Sequence, residues 1–339
     1  MRHKFSRQPG LALLVVGLAW PAAVAQGQAL PAFATGDEIG FAMIVPLDQT
    51  GADKLAPAFK GALGPKFAVV EPELAAWEIY RQQQADLGIG HLVFLSRYLD
   101  DDGHLVSARV TMYGLRPGSD ADAALKEIAD KWTDSTYMST RRVDNWVAAY
   151  SNEQPPLFQV KPGKHSALVE AAVKSLEGRL GLVCVPNEKL RKMAGPQIIS
   201  LAAAMPTAVI SMLDKSLAAD WLSVSATTDG QPTITLTLQT PSETKALEWI
   251  EAYAGMVADV SRLADALTAK PGKKPPPAAP YPIDFKMLAE LLQDAKPQQD
   301  GSQVSIVLDT KATGKLLDLG LVQPLQAQLP AQKPKAADR

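Results

Sequence analysis

Two stretches of the chain alternate apolar and polar residues around an acidic, glycine-bearing turn. Leu92 to Leu99 and Leu105 to Tyr113 flank Asp100-Asp101-Asp102-Gly103, while Trp221 to Thr227 and Thr233 to Gln239 flank Thr228-Asp229-Gly230. Alternation about an Asp-Gly turn predicts a β-hairpin, because the left-handed backbone of such a turn matches the twist of its strands. In the second hairpin Ile234, Leu236 and Leu238 interleave with Thr233, Thr235 and Thr237. One face is therefore expected to be apolar and buried beneath a helix, the other hydroxylated.

Helical patterns bracket both hairpins. Leu55, Phe59 and Leu63 recur at helical spacing, as do Val169, Val173 and Leu176, and each series stops at a glycine, Gly64 or Gly178. Apolar runs ended by proline follow, Phe67 to Val70 before Pro72 and Leu180 to Val185 before Pro186, and both predict strands. Beyond the second hairpin, Thr240-Pro241-Ser242-Glu243 predicts a helix with Thr240 as N-cap and Leu247, Ile250, Ala254 and Val257 as its apolar stripe. Ser119 with Asp122 is a weaker version of the same cap, ahead of Leu125, Ile128 and Trp132. A final strand closes each series: Asp144-Asn145 leads into Trp146 to Tyr150, and Asp300-Gly301 leads into Gln303 to Leu308.

A shift of 114 residues places Ala58, Lys60, Gly64, Val69 and Pro72 on Ala172, Lys174, Gly178, Val183 and Pro186, which predicts an internal repeat. Each copy then reads strand, helix, strand, strand, helix, strand. The expected fold class is α+β, with two tandem ferredoxin-like (split βαβ) units, antiparallel sheets and helices on one face. Residues 37–153 form the first α/β repeat and residues 155–323 the second, with a proline-rich insertion at 270–283 and a disordered tail at 324–339. Residues 37–65 and 157–179 are expected to add an outer strand and helix to each unit. The run Pro206 to Thr227 with Trp221 opening the hairpin, the proline-ended strand Leu182 to Pro186, and Asp300-Gly301 before Val304 to Leu308 resemble large exported bacterial proteins with a duplicated α/β layout. That resemblance implies the architecture and carries no activity or site.

Residues 1–25 read as a signal peptide. Arg2, Lys4 and Arg7 precede a short apolar stretch from Leu11 to Trp20 closed by Pro21, and Ala23-Val24-Ala25 supplies a small-x-small cleavage site. Cleavage leaves Gln26 first and points to an extracytoplasmic location, periplasmic or secreted. The same cut removes three basic side chains and no acidic one, taking the net charge from −2 to about −5. An acidic balance with no basic stripe excludes a dedicated nucleic-acid binder. Gln197 to Leu213 has no charge but carries Pro206, serines and alanines, too short and weakly apolar for a membrane span. No integral membrane segment is expected after signal removal.

The chemistry-bearing residues are sparse. Cys184 is the single cysteine and sits in an apolar strand, so it reads as a core residue and no disulfide is expected. His91 and His104 flank one hairpin and His165 stands apart, without the spacing of a zinc site. Asp100, Asp101 and Asp102 lack the alternate spacing of a calcium loop, and Ser242-Glu243-Thr244-Lys245 matches SxxK in letters only. No catalytic, cofactor-binding or metal residue is singled out, and no cofactor is expected. The function expected is that of an exported non-enzymatic protein, binding an unknown protein or envelope component or serving a structural role in the envelope. The support is a sheet face of Ser223, Ser225, Thr233, Thr235 and Thr237. The alternative is an exported hydrolase with a non-motif active site. Edman or mass-spectrometric sequencing of exported material is expected to find Gln26 at the N-terminus; residue 1 still in place would refute the leader.

Overall fold

The computed structural model describes residue 34 and residues 39–101, 104–132, 138–151, 164–176, 179–192, 194, 207–227, 232–269 and 284–328. The first half runs β1 (Ile39–Pro46), α1 (Ala52–Leu63), α2 (Phe67–Asp86), β2 (Ile89–Asp101), β3 (His104–Leu115), α3 (Ala121–Trp132), β4 (Met138–Val143) and β5 (Trp146–Ser151). The second runs α4 (Lys164–Lys174), β6 (Gly181–Cys184), α5 (Thr207–Leu217), β7 (Trp221–Thr227), β8 (Thr233–Gln239), α6 (Glu243–Ala269), α7 (Phe285–Asp294), β9 (Pro297–Asp300) and β10 (Gln303–Leu308). A π-turn at Asp318–Val322 joins the last two helices, α8 (Thr310–Leu317) and α9 (Gln323–Gln328).

All ten strands among the described residues belong to one antiparallel sheet in the order β4-β5-β3-β2-β1-β6-β7-β8-β10-β9. From the centre outward each half lists its strands first, second, third, fifth, fourth. The α+β class and antiparallel pairing stand, and the finer expectation is corrected. A split βαβ unit places its third strand between the first two, but β1 pairs directly with β2 and β6 directly with β7. The two sheets expected are also one, because β1 pairs with β6 from Phe41↔Cys184 to Ile44↔Gly181.

Paired residues share a face, so register sorts the core. One face carries Val45, Leu92, Tyr113, Val147 and Ala149, packed against Leu55, Phe59, Leu74, Trp77 and Ile128 of α1 to α3. The same face continues across the centre to Leu238, Val304 and Ile306, covered by Trp249, Tyr253, Met256 and Val260 of α6. Leu236 lies there half-buried against the same cluster. On the opposite face Ala42, Val93, Leu95, Val110, Met112 and Val183 are buried with Val169, Ala172 and Leu176 from α4 and its end. Helices therefore occupy both faces rather than one, because the first half's strands are apolar on both sides.

Phe67 to Val70, expected as a strand, opens α2. Val70, Leu74 and Trp77 are buried at helical spacing, and that burial outweighs the local strand propensity and the bond lost at Pro72. With it the 114-residue alignment fails: by place in the sheet the counterpart of β6 is β1. Two further expectations move by a residue or two. Ser242, not Thr240, caps α6 by accepting from the Lys245 amide at 3.3 Å, and Asp120, not Ser119, caps α3 by accepting from the amides of Asp122 and Ala123. The turn residues 102–103 and 228–231, the insertion at 270–283 and residues 1–25 lie outside the described residues. So does the tail from residue 329, although residues 324–328 of the expected tail are helical.

The C-terminal helices cross from the second half onto the first. Leu317, Leu321 and Val322 join the core around Leu55 and Phe59, with Leu325 packed beside them. Close approach requires a glycine here: a Cβ added at Gly314 would overlap the carbonyl oxygen of Ala62 in α1. Lys66 Nζ donates to the nearly buried Asp318 Oδ2 at 2.5 Å, a second tie one turn beyond Gly314. Gly314→Ala is expected to lower unfolding stability by about 1–3 kcal/mol, as overpacking does. Gly320→Ala, which meets no atom within 4 Å, should stay within about 0.5 kcal/mol or stabilise; denaturant unfolding of both variants checks the pair.

Candidate functional site

Three regions concentrate polar groups or open space. The first surrounds the turn after β1, where Pro46 stops the strand and Leu47–Gln49 make a single 3-10 turn. Trp77 Nε1 donates to Thr50 O at 2.7 Å, and the Ala52 amide donates to Glu78 Oε2 at 2.8 Å. Arg81 clasps Glu78 at 2.5 and 2.9 Å, which holds the Glu78 carboxyl below its ordinary value despite opposing desolvation. Arg116 pairs with Asp48 and donates to Ala85 O at 3.3 Å, while Lys54 Nζ donates to Asp48 O at 2.8 Å. Half-buried His91 stands beside this network. Desolvation, aided by the Arg116 charge and opposed by Asp48, pushes its imidazole below its ordinary value. The carboxylates Asp48 and Glu78 are engaged by arginines, so the cluster fixes the first turn of α1 against α2.

The second region is a cleft of about 10 Å³, room for about one water molecule, at the junction of the halves, lined by Ala58, Phe59, Thr233, Ile234, Thr313 and Leu317 among others. It is smaller than the ~300–1,000 Å³ of ordinary ligand sites.

The third is the hydroxylated face of the second half. Thr237 lies opposite Ser223 and Ser305, Thr235 opposite Ser225 and Val307, and Thr233 opposite Thr227. The structure divides the expected set. Ser223 and Ser225 are buried, and Ser223 Oγ accepts from Ser175 Oγ at 2.9 Å where the chain leaves α4. Thr233, Thr235 and Thr237 are half-buried, and Val307 is 53% exposed. Gln303 and Ser305 of β10 extend the face outward; their alternation with Val304 and Ile306 was the sequence signal for them.

The other residues weighed from the sequence fall in separate places. His91 pairs in register with Gly114 and His104 with Asp101, so ten residues of strand, roughly 33 Å, keep the two histidines apart. Asp100 and Asp101 lie within β2, and Asp102 is outside the described residues. His165 Nε2 makes a 2.8 Å hydrogen bond with Ile39 O, tying α4 to the start of β1. Cys184 is partly buried in β6, and desolvation pushes its thiol up to about 12, as expected of a core thiol. Lys245 of the SxxK letters reaches Glu248 at 2.9 Å, and Ser242 is a helix cap. Among the described residues no group of three His, Cys, Asp or Glu side chains is placed to hold a metal, and no helix is long and apolar enough to cross a membrane.

Neither the models of known families nor the curated proteins give a match to the chain. Among solved structures, one described as "Structure of crystal form I of TP0453" is similar at a TM-score of 0.32 and 7% identity, covering 87% of this chain and 99% of that one. A likeness at that level assigns no residue a role.

His91 generates a pH test. Its lowered value means that, as pH falls below the ordinary imidazole value of about 6.5, the unfolded chain takes up the proton before the folded one. Stability is then lost on acidification from about pH 6.5 down to the folded value, below which this group has no further effect. Unfolding free energies measured between about pH 7.5 and pH 5 should show a shallower acid loss in His91→Gln than in the parent; equal slopes would show that His91 is not desolvated as described.

Proposed function

We propose that the chain is an exported, non-enzymatic module of the cell envelope that acts by binding, and that it arose by duplication of one α/β unit. The duplication is supported by the identical outward strand order of the halves and by the two hairpins, β2–β3 and β7–β8, that hold equivalent places beside β1 and β6. Export is supported by the leader at residues 1–25. The observation that carries the binding role is the face of β7, β8 and β10, where threonine, serine and glutamine side chains occupy consecutive register positions while the other face of those strands is packed under α6. A sheet with one face buried and one polar face accessible has a surface to offer a partner.

Placing charges on that face tests the role. In cells exporting the full chain, Thr235→Lys with Thr237→Glu is expected to shift the protein from the envelope fraction to the soluble extracytoplasmic fraction, with its circular dichroism unchanged. Retention equal to the parent, in a variant shown to be folded, would refute the binding face.

A further inference from the structure

Resting on that reading, we infer that the ligand of this face is a neutral glycan chain of the envelope. The chemistry of the face selects the ligand class. Among the described residues of β7, β8, β10 and β9, the positions sharing this face are Trp221, Ser223, Ser225, Thr227, Thr233, Thr235, Thr237, Gln239, Gln303, Ser305, Val307, Gln298 and Asp300; Asp300 at the outer edge is the one ionisable side chain among them, and none is a cation. In a chain with 21% charged residues, so large a polar area without a cation offers nothing to a phosphate backbone or an acidic peptide, both of which need cations. Without an exposed apolar stripe it offers nothing to a lipid surface either.

A protein partner fits poorly by size and by composition. The half-exposed part amounts to about seven side chains, against the roughly 20–30 residues a side of a standard protein interface. It lacks the exposed aromatic and arginine anchors that concentrate binding energy in such interfaces. The one aromatic residue on the face, Trp221, is buried.

A polyhydroxylated chain matches what is present. Each threonine and serine hydroxyl both donates and accepts, as sugar hydroxyls do. The side chains form a lattice of about 4.8 Å between strands and roughly 6.6 Å along each strand, a spacing on the scale of one sugar ring. The face is bounded on its inner side by α4, whose end meets the sheet at the Ser175–Ser223 hydrogen bond, so an extended chain lying on β8 and β10 would run beside a helix wall. Single neutral hydrogen bonds are weak, and a repeating ligand compensates by engaging several sites on one chain.

The test uses the full mature chain and two neutral probes, a β-linked glucose hexasaccharide and an N-acetylglucosamine hexasaccharide, with polygalacturonate as a charged comparison. Isotope-edited NMR titration up to about 10 mM probe is expected to shift the amide signals of β8 and β10 with at least one neutral probe. Thr235→Val with Thr237→Val, which keeps strand propensity and removes two hydroxyls, is expected to weaken that binding about tenfold or more. No shift with either neutral probe, equal affinity in the double variant, or binding of polygalacturonate alone would each overturn the glycan assignment. Concentration-dependent self-association of the parent that the same variant abolishes would overturn it in favour of a second copy. If the charge variants lose envelope retention but neither neutral probe binds, the binding role stands and only the glycan falls; if retention is unchanged, the role beneath it fails first.

Discussion

Everything in the molecule hangs on the pairing of β1 with β6. Four register positions, from Phe41↔Cys184 to Ile44↔Gly181, turn two five-stranded halves into one sheet. Gly181 shows how tight the junction is: a Cβ there would sit 2.5 Å from Leu176 Cδ2 and 2.6 Å from Val224 O. A side chain at that position would push β7 or the end of α4 away from the centre. Because each half continues the other's ladder, the central strands have no exposed edge to manage, and among the described strands only β4 and β9 remain as edges.

A second constraint reinforces the first from the helical side. The crossing of α8 and α9 onto α1 and α2 means that the apolar surface of the first half is completed by residues of the second. Gly314 against Ala62 and, one turn on, Asp318 against Lys66 pin this crossing, one by close backbone contact and one by charge. The halves are similar in strand order and yet are not interchangeable, since only one of them receives the crossing helices.

The hairpins and the Thr233-Thr235-Thr237 face were legible in the sequence because they depend on local alternation. The helix from Phe67 was not: Val69 and Val70 read locally as strand, and the deciding burial of Leu74 and Trp77 comes from a sheet assembled elsewhere in the chain. Strand order escaped for the same reason, since the sequence order of elements is shared by split and unsplit arrangements. The network of Asp48 with Arg116 joins residues 68 apart, and no spacing rule reaches that far. Of the candidate face, Thr235 and Thr237 were visible as alternation, whereas the withdrawal of Ser223 beneath the end of α4 followed only from packing.

The crossing helices also order events in time. During synthesis the first half emerges with Leu55, Phe59 and Leu63 made and their partners Leu317, Leu321 and Val322 still to come. Domains ordinarily fold as they emerge, but here that core is complete only when residues 310–328 have been added. A first half that waits for its last helices keeps the apolar side of Leu55 and Phe59 uncovered until the end of synthesis.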